Sequence, residues 1–222
     1  GVPNSSDNID FNGNAASPCI LTGSATVNHL TLSDGGDLTL ASGASLTVGG
    51  NFTHNPSAAT SFDCNSTLTL SNTTFNQFVP AISYGNLNLG SGARTLDNAG
   101  TINICGNYTP TSGALTFAGS SVDFVGTTTQ SILTNSTSFD NLTISNTSAN
   151  VNSASSFSVT GAMTIIPSAR LNNSAGTLTI SSGATGTVSG YLRNRGTVTT
   201  TGSLTFTSTG TYEHDFTSSE GT

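Results

Sequence analysis

Apolar and polar residues alternate along this chain in runs of three to five positions, as in Leu38-Thr39-Leu40, Leu46-Thr47-Val48, Leu68-Thr69-Leu70, Leu142-Thr143-Ile144, Leu178-Thr179-Ile180 and Leu204-Thr205-Phe206. Successive side chains of a β-strand point to opposite faces, so the two apolar residues of each run share one face and Thr takes the other. β-Branched Thr suits an exposed strand position. The gaps between runs hold Gly, Asn, Ser and Asp, which permit tight turns. Apolar residues rarely fall at helical spacing, and no capped apolar stretch of ten residues occurs. The pattern therefore predicts many short strands and almost no helix.

The runs recur. His29-Leu30-Thr31-Leu32, Asn86-Leu87-Asn88-Leu89 and Asn141-Leu142-Thr143-Ile144 align, with their first Leu residues 57 and 55 positions apart. From Leu30 the next apolar positions are Leu38, Leu46 and Phe52. From Leu87 they are Leu96, Ile102 with Ile104, and Tyr108. From Leu142 they are Val151, Phe157 with Val159, and Met163. The steps are about 8, 16 and 22 each time. Gly50-Asn51-Phe52-Thr53, Gly106-Asn107-Tyr108-Thr109 and Gly161-Ala162-Met163-Thr164 hold the same register, and Gln77 and Gln130 follow equivalent strands. A strand and a turn take seven or eight residues, so three sides close a coil of about 22. The next coil can then stack one strand spacing, ~4.8 Å, further on. This predicts Phe52 beside Leu30, Tyr108 beside Leu87 and Met163 beside Leu142.

The expected fold is all-β: a right-handed parallel β-helix (solenoid) of roughly ten coils of about 22 residues, a rod of roughly 50 Å. Steps of six to nine residues and the general preference for right-handed crossover favour that hand. An antiparallel sandwich would use longer strands and two-residue hairpins. Residues 1–222 are expected to form one domain, a segment of a longer chain, with internal repeats near 27–83, 84–138 and 139–222. Leu87→Asp or Leu142→Asp should bury a charge, whereas Thr143→Asp should be mild.

Composition narrows the function. Thr, Ser, Gly and Asn make up 121 of 222 residues, and charged residues are 7%. There is no Lys; the cations are Arg94, Arg170, Arg193 and Arg195, and the net charge is −7. That argues against nucleic acid as a partner, since affinity there comes from neutralising phosphates, and against an electrostatic hold on anionic lipid. No apolar stretch is long enough for a transmembrane helix, so no membrane insertion is expected. Cys19, Cys64 and Cys105 form neither a CxxC nor a Cys/His cluster, so no zinc site is expected. They read as three small, partly buried side chains, although the odd count also permits one disulfide and one free thiol. Nine Asn-x-Ser/Thr sequons match the number this composition yields by chance and carry no weight.

Candidate chemistry is sparse. A polysaccharide-degrading β-helix would need grouped carboxylates, or calcium-binding Asp with a cation. Asp123 is expected to face outward from its strand and Asp140 to precede one, without acidic partners at matching positions. Asp34-Gly35-Gly36-Asp37 resembles half of a calcium-binding nonapeptide but occurs once. Glu213-His214-Asp215 are neighbours whose side chains alternate faces. His29 and His54 could approach each other from adjacent coils. Outward Thr39, Thr47, Thr69, Thr143, Thr179 and Thr205 suggest an ice-binding surface, but Thr-x-Thr runs such as 197–199 and 205–207 are expected to lie out of register. No catalytic, cofactor-binding or metal-ligating residue is assigned.

The phrases VPNSSDNIDF, VNHLTLSDGGDLTLASGASLTVGGNFTHN, GTTTQSI, FDNLTISN and GTYEHDF resemble β-solenoid regions of large secreted surface proteins of the Bacteroidota. They are similar to adhesins exported by the type IX secretion system, including gliding-motility adhesins. The resemblance covers Val2 to Phe216. It implies a right-handed β-helix and an extracellular place on the cell surface of a Gram-negative bacterium. It also implies a structural or adhesive role as a stiff stalk or scaffold. Expected partners are extracellular polysaccharide or other surfaces, further domains of the same chain, and secretion or anchoring machinery. The alternatives are a polysaccharide-degrading β-helix enzyme and an ice-binding solenoid.

Overall fold

The computed structural model describes residues 3–12, 19–33, 37–54, 60–71, 75–77, 82–90, 94–95, 101–110, 115–133 and 137–215. Asp34, Asp97, Glu220 and Leu96 lie outside the described residues. Strands, mostly of three or four residues, are the regular elements of the described part, which contains no helix.

The chain winds as a parallel β-solenoid with three sides. One side is a ten-stranded sheet running from Ser24–Val27 at one end to Thr211–His214 at the other. Near the N-terminus the second side is a four-stranded sheet: Asn8–Phe11, His29–Leu32, Phe52–His54 and Phe75–Gln77. The third is a three-stranded sheet: Cys19–Leu21, Leu38–Leu40 and Thr60–Phe62. From Ile82–Tyr84 onward an eleven-stranded sheet covers both of these sides. It is continuous because Leu115–Phe124 pairs with two strands of the preceding turn, Arg94–Thr95 and Thr101–Ile104, and Thr137–Ile144 with two of the following turn, Phe157–Val159 and Ala162–Ile165. Gly119, at φ 68°, lies inside the first of these long strands, where the register shifts.

Stacking follows the predicted partners: Leu30 pairs with Phe52, Leu87 with Tyr108 and Leu142 with Met163. The coil count is slightly different. About eight turns of roughly 21 residues have a neighbour on both sides within the ten-stranded sheet, against the expected ten coils of about 22. The two terminal strands of that sheet are edges. The turn is shorter because some corners shrink to a single residue, as at Gly85 between Ile82–Tyr84 and Asn86–Leu89. The three Leu residues aligned at 57 and 55 positions fall in three different sheets.

Inward side chains form one apolar core along the axis. Leu30, Leu32, Leu40, Leu68, Leu70, Leu87, Phe52, Tyr84, Tyr108, Phe124 and Phe139 are fully buried. Fully burying each such side chain is worth ~1.5–3 kcal/mol. Polar residues also enter this interior and hydrogen-bond there, although Asn173 Oδ1 is left without a partner. Asn173 Nδ2 donates to Asn194 Oδ1 at 2.7 Å, and Asn194 Nδ2 donates to the Gly196 carbonyl at 2.9 Å. This internal asparagine step matches one turn to the next, because a buried amide out of register would lose its partner.

Cys64 and Cys105 are joined in a disulfide, while Cys19 is a free, exposed thiol. The reading of three unpaired, partly buried cysteines is therefore corrected. The two half-cystines are 41 residues apart in sequence with Cα atoms 5.2 Å apart. They belong to turns on either side of the one containing Gly85. A Cβ at Gly85 would lie 2.3 Å from the Asp63 carbonyl and 2.4 Å from the Ser66 carbonyl, so only glycine lets these corners close up.

Candidate functional site

The residues singled out for chemistry mostly resolve into structural partners. His29 faces outward, and its Nδ1 accepts the Asn51 N–H at 2.7 Å. His54 faces inward, fully buried opposite Leu32, with Nε2 3.0 Å from Thr60 Oγ1 and Nδ1 3.3 Å from the Tyr84 hydroxyl. The two imidazoles thus sit on adjacent turns but on opposite faces of one sheet, and the expected approach does not occur. Burial holds the Tyr84 hydroxyl far above its ordinary pKa.

Asp123 does face outward, half-buried between Asn103 and Thr143 on the neighbouring turns. The Ser145 hydroxyl donates to its Oδ2 at 2.9 Å, while Oδ1 is buried without a partner. Burial raises its pKa, and the Ser145 hydrogen bond offsets part of that. Asp140 lies within the strand Thr137–Ile144 instead of preceding it, and its Oδ2 accepts the Gly119 N–H at 3.0 Å. The strand starts earlier because it continues through the corner. Among the described residues no group of three or more His, Cys, Asp or Glu is placed to hold a metal ion.

Glu213, His214 and Asp215 divide their attention as strand geometry requires. Glu213 lies 3.5 Å from Arg193 Nε. His214 Nδ1 is 3.2 Å from the Tyr212 hydroxyl. Asp215 Oδ2 accepts from Arg193 Nη2 at 2.5 Å and from Arg195 Nε at 2.6 Å. The Arg195 hydrogen bond, with both positive charges, holds the Asp215 carboxyl below its ordinary pKa. These groups clasp the last turns of the ten-stranded sheet.

The Thr rungs are more regular than the sequence suggested. Ser24, Ser45 and Thr67 are register partners, as are Thr26, Thr47 and Thr69. Thr177 and Thr179 pair with Thr197 and Thr199, and Thr187 pairs with Thr205. The expectation that these runs lie out of register is corrected, because corners of unequal length hide the alignment.

The most built-up outer surface lies on the ten-stranded sheet toward the C-terminus. Its outward columns read Asn150, Arg170, Tyr191, Thr211 and Asn152, Asn172, Arg193, Glu213 from turn to turn. The Arg170 guanidinium carbon sits 4.8 Å from the centre of the Tyr191 ring. Beside them is a hollow of about 430 Å³ lined by Thr129, Thr147, Ser148, Asn150, Ser168, Arg170 and Tyr191. A second hollow, about 150 Å³, shares Asn150, Arg170 and Tyr191 and adds Asn172, Arg193 and Glu213. One wall is held from within. Buried Asn146 accepts the N–H groups of Ser148 and Ala149 and donates to Gln130 Oε1 and the Thr128 carbonyl. Gln130 in turn donates to the carbonyls of Ile104 and Gly106. Gln130 was legible as a repeat landmark; the hollow was not, because its lining comes from turns about twenty residues apart.

Compared with protein-family models, curated proteins and solved structures, the chain gives no significant match.

Proposed function

We propose that this chain is a structural and adhesive segment of an extracellular surface protein, a stiff scaffold that holds polar binding faces away from its point of attachment. The carrying observation is the ten-stranded parallel sheet that runs from Ser24–Val27 to Thr211–His214. Contacts between successive turns run the length of one core, which favours a rod over a hinged assembly. The outer surface of Thr, Ser and Asn suits hydrogen bonding to hydrated polymers, and the shallow polar hollow beside Tyr191 offers a place for a sugar chain. The acids flagged as catalytic candidates are engaged separately: Asp123 with Ser145, Asp140 with Gly119, Asp215 with two arginines. That arrangement supports a binding role over a hydrolytic one. Export by type IX secretion and a cell-surface location belong to the same proposal and rest on the sequence phrases. Binding of the purified chain to a polysaccharide array, run beside an assay for new reducing ends, tests it. Binding without cleavage is expected, and turnover of any polysaccharide overturns it.

One observation favours a second reading. The paired Ser/Thr columns at 24–26, 45–47 and 67–69 form a small in-register hydroxyl array of the kind an ice-binding face would need. Thermal hysteresis measured on the same sample decides it.

A further inference from the structure

The chain has four arginines and no lysine. Two of the four, Arg193 and Arg195, are neutralised by Asp215, with Glu213 also near Arg193. Arg170 is different. Among the described residues it has no carboxylate partner; its guanidinium rests on an exposed tyrosine ring at the rim of the larger hollow. An uncompensated guanidinium is a bidentate donor matched to a carboxylate. A tyrosine with an apolar ring and a polar tip suits the mixed surface of a sugar. The 430 Å³ volume falls in the range of small-ligand sites, ~300–1,000 Å³.

A second, independent feature points to the same place. Ser168 has φ 68°, and among the described residues it is the one non-glycine with positive φ. It occupies the third position of the turn Ile166-Pro167-Ser168-Ala169, closed by the Ala169 N–H donating to the Ile166 carbonyl at 3.1 Å. Of the described turns with the same closure, those at 4–7, 63–66 and 207–210 have no left-handed third residue, whereas those at 41–44 and 181–184 do, and both place glycine there: Gly43 at φ 76° and Gly183 at φ 82°. A left-handed conformation costs a side-chain-bearing residue roughly 1–2 kcal/mol. At the hollow that cost is borne, and what it supplies is a hydroxyl-bearing side chain in the lining.

We infer that the hollow framed by Asn150, Ser168, Arg170 and Tyr191 binds the carboxylated sugar units of an acidic polysaccharide. Arg170 takes the carboxylate, Tyr191 packs against the sugar ring, and the Asn150 amide and the Ser168, Thr147 and Ser148 hydroxyls meet ring hydroxyls. Arg170, an uncompensated guanidinium on a chain of net charge −7, selects a glycan with widely spaced carboxylates over a dense polyanion, whose other charges the protein would repel. This inference rests on the binding-scaffold reading and gives it a ligand class.

The test uses the whole chain with hyaluronan, hyaluronan whose carboxyls have been reduced to alcohols, and dextran, measured by calorimetry at low and moderate salt. Hyaluronan should bind, the carboxyl-reduced polymer at least about tenfold more weakly, as loss of one charged hydrogen-bonded pair implies. Arg170→Gln should abolish that difference, and Tyr191→Ala should weaken binding to both polymers. Ser168→Gly is the control for folding: its melting temperature should equal or exceed that of the parent chain, while its hyaluronan binding falls. Equal binding of the parent chain and Arg170→Gln to hyaluronan overturns the site but leaves a polysaccharide-binding scaffold standing. Absence of binding to all three polymers overturns the site, and the array then decides the adhesive role separately. Arg170-dependent cleavage of hyaluronan would keep the site and overturn the scaffold reading.

Discussion

At the scale of single residues, the inward or outward direction of each side chain was readable from period-two alternation, and it governs what substitutions do. Leu142 is fully buried and stacked on Met163, whereas Thr164, beside Met163, faces outward. Leu142→Asp is expected to cost more than about 4 kcal/mol, by burying an unpaired charge. Thr164→Asp should stay within about 0.5 kcal/mol, and equal losses in urea melts would contradict the assignment. Thr143→Asp no longer belongs with the mild changes. Thr143 is the register partner of Asp123, and like charges directly opposite each other repel. Asp123 carries a pH prediction. Its pKa is raised in the fold by burial, so the stability tied to its protonated form is fully present below the unfolded-state value. That stability is lost as pH rises through the folded value. Asp123→Asn should therefore raise the melting temperature at pH 7, with the gain shrinking toward zero as the buffer is taken to acid. A gain that stays constant with pH would show that the carboxylate charge is not the cause. What alternation could not reveal is which inward positions would be polar. His54, Gln130, Asn173 and Asn194 are buried because each finds a partner on a neighbouring turn, Tyr84 in the case of His54, a fact of three-dimensional register with no local sequence signal.

At the scale of elements, strands were legible and corners were not. The three- and four-residue strands follow from runs such as Leu68-Thr69-Leu70, but nothing in the residues 115–124 announces a strand that continues through a corner. Corners are decided by close backbone approach, and a glycine there looks like any turn glycine until its neighbours are known. Gly85 is the clearest instance, since it allows Cys64 and Cys105 to meet from turns two steps apart. The pairing could not be read beforehand, because 41 residues equals two turns only once the turn length is known. Closing a loop of that size in the unfolded chain predicts a stabilisation of roughly 3–4 kcal/mol. Reduction, or Cys64→Ser with Cys105→Ser, should lower stability by about this amount. Hydrogen exchange is expected to rise mainly around residues 60–110, and a uniform increase along the whole chain would argue against a local clasp.

At the scale of the whole molecule, the parallel winding was readable because steps of 8, 16 and 22 residues describe three sides and a return. The 55-residue recurrence misleads in one respect. It equals about two and two-thirds turns of roughly 21 residues, so aligned phrases land on different sides. All three sides are built from the same strand-and-corner unit, and the structural period is the turn. That distinction can be tested by excision. Removing residues 150–169 takes out one turn and brings Arg170 to the place of Asn150, its present register partner. Every strand before the cut then meets a strand one rung further on, in register. Removing residues 150–159 instead would carry Ala162–Ile165 around to the wrong side and break the stack. Because turns contact mainly their neighbours, stability in such a rod is close to a sum of turn and junction terms. The whole-turn variant should keep a β-rich circular dichroism spectrum and one cooperative melt at a modestly lower temperature. The half-turn variant should lose the cooperative melt. If both variants melted alike, the turn would not be the unit that the core and the ladders enforce.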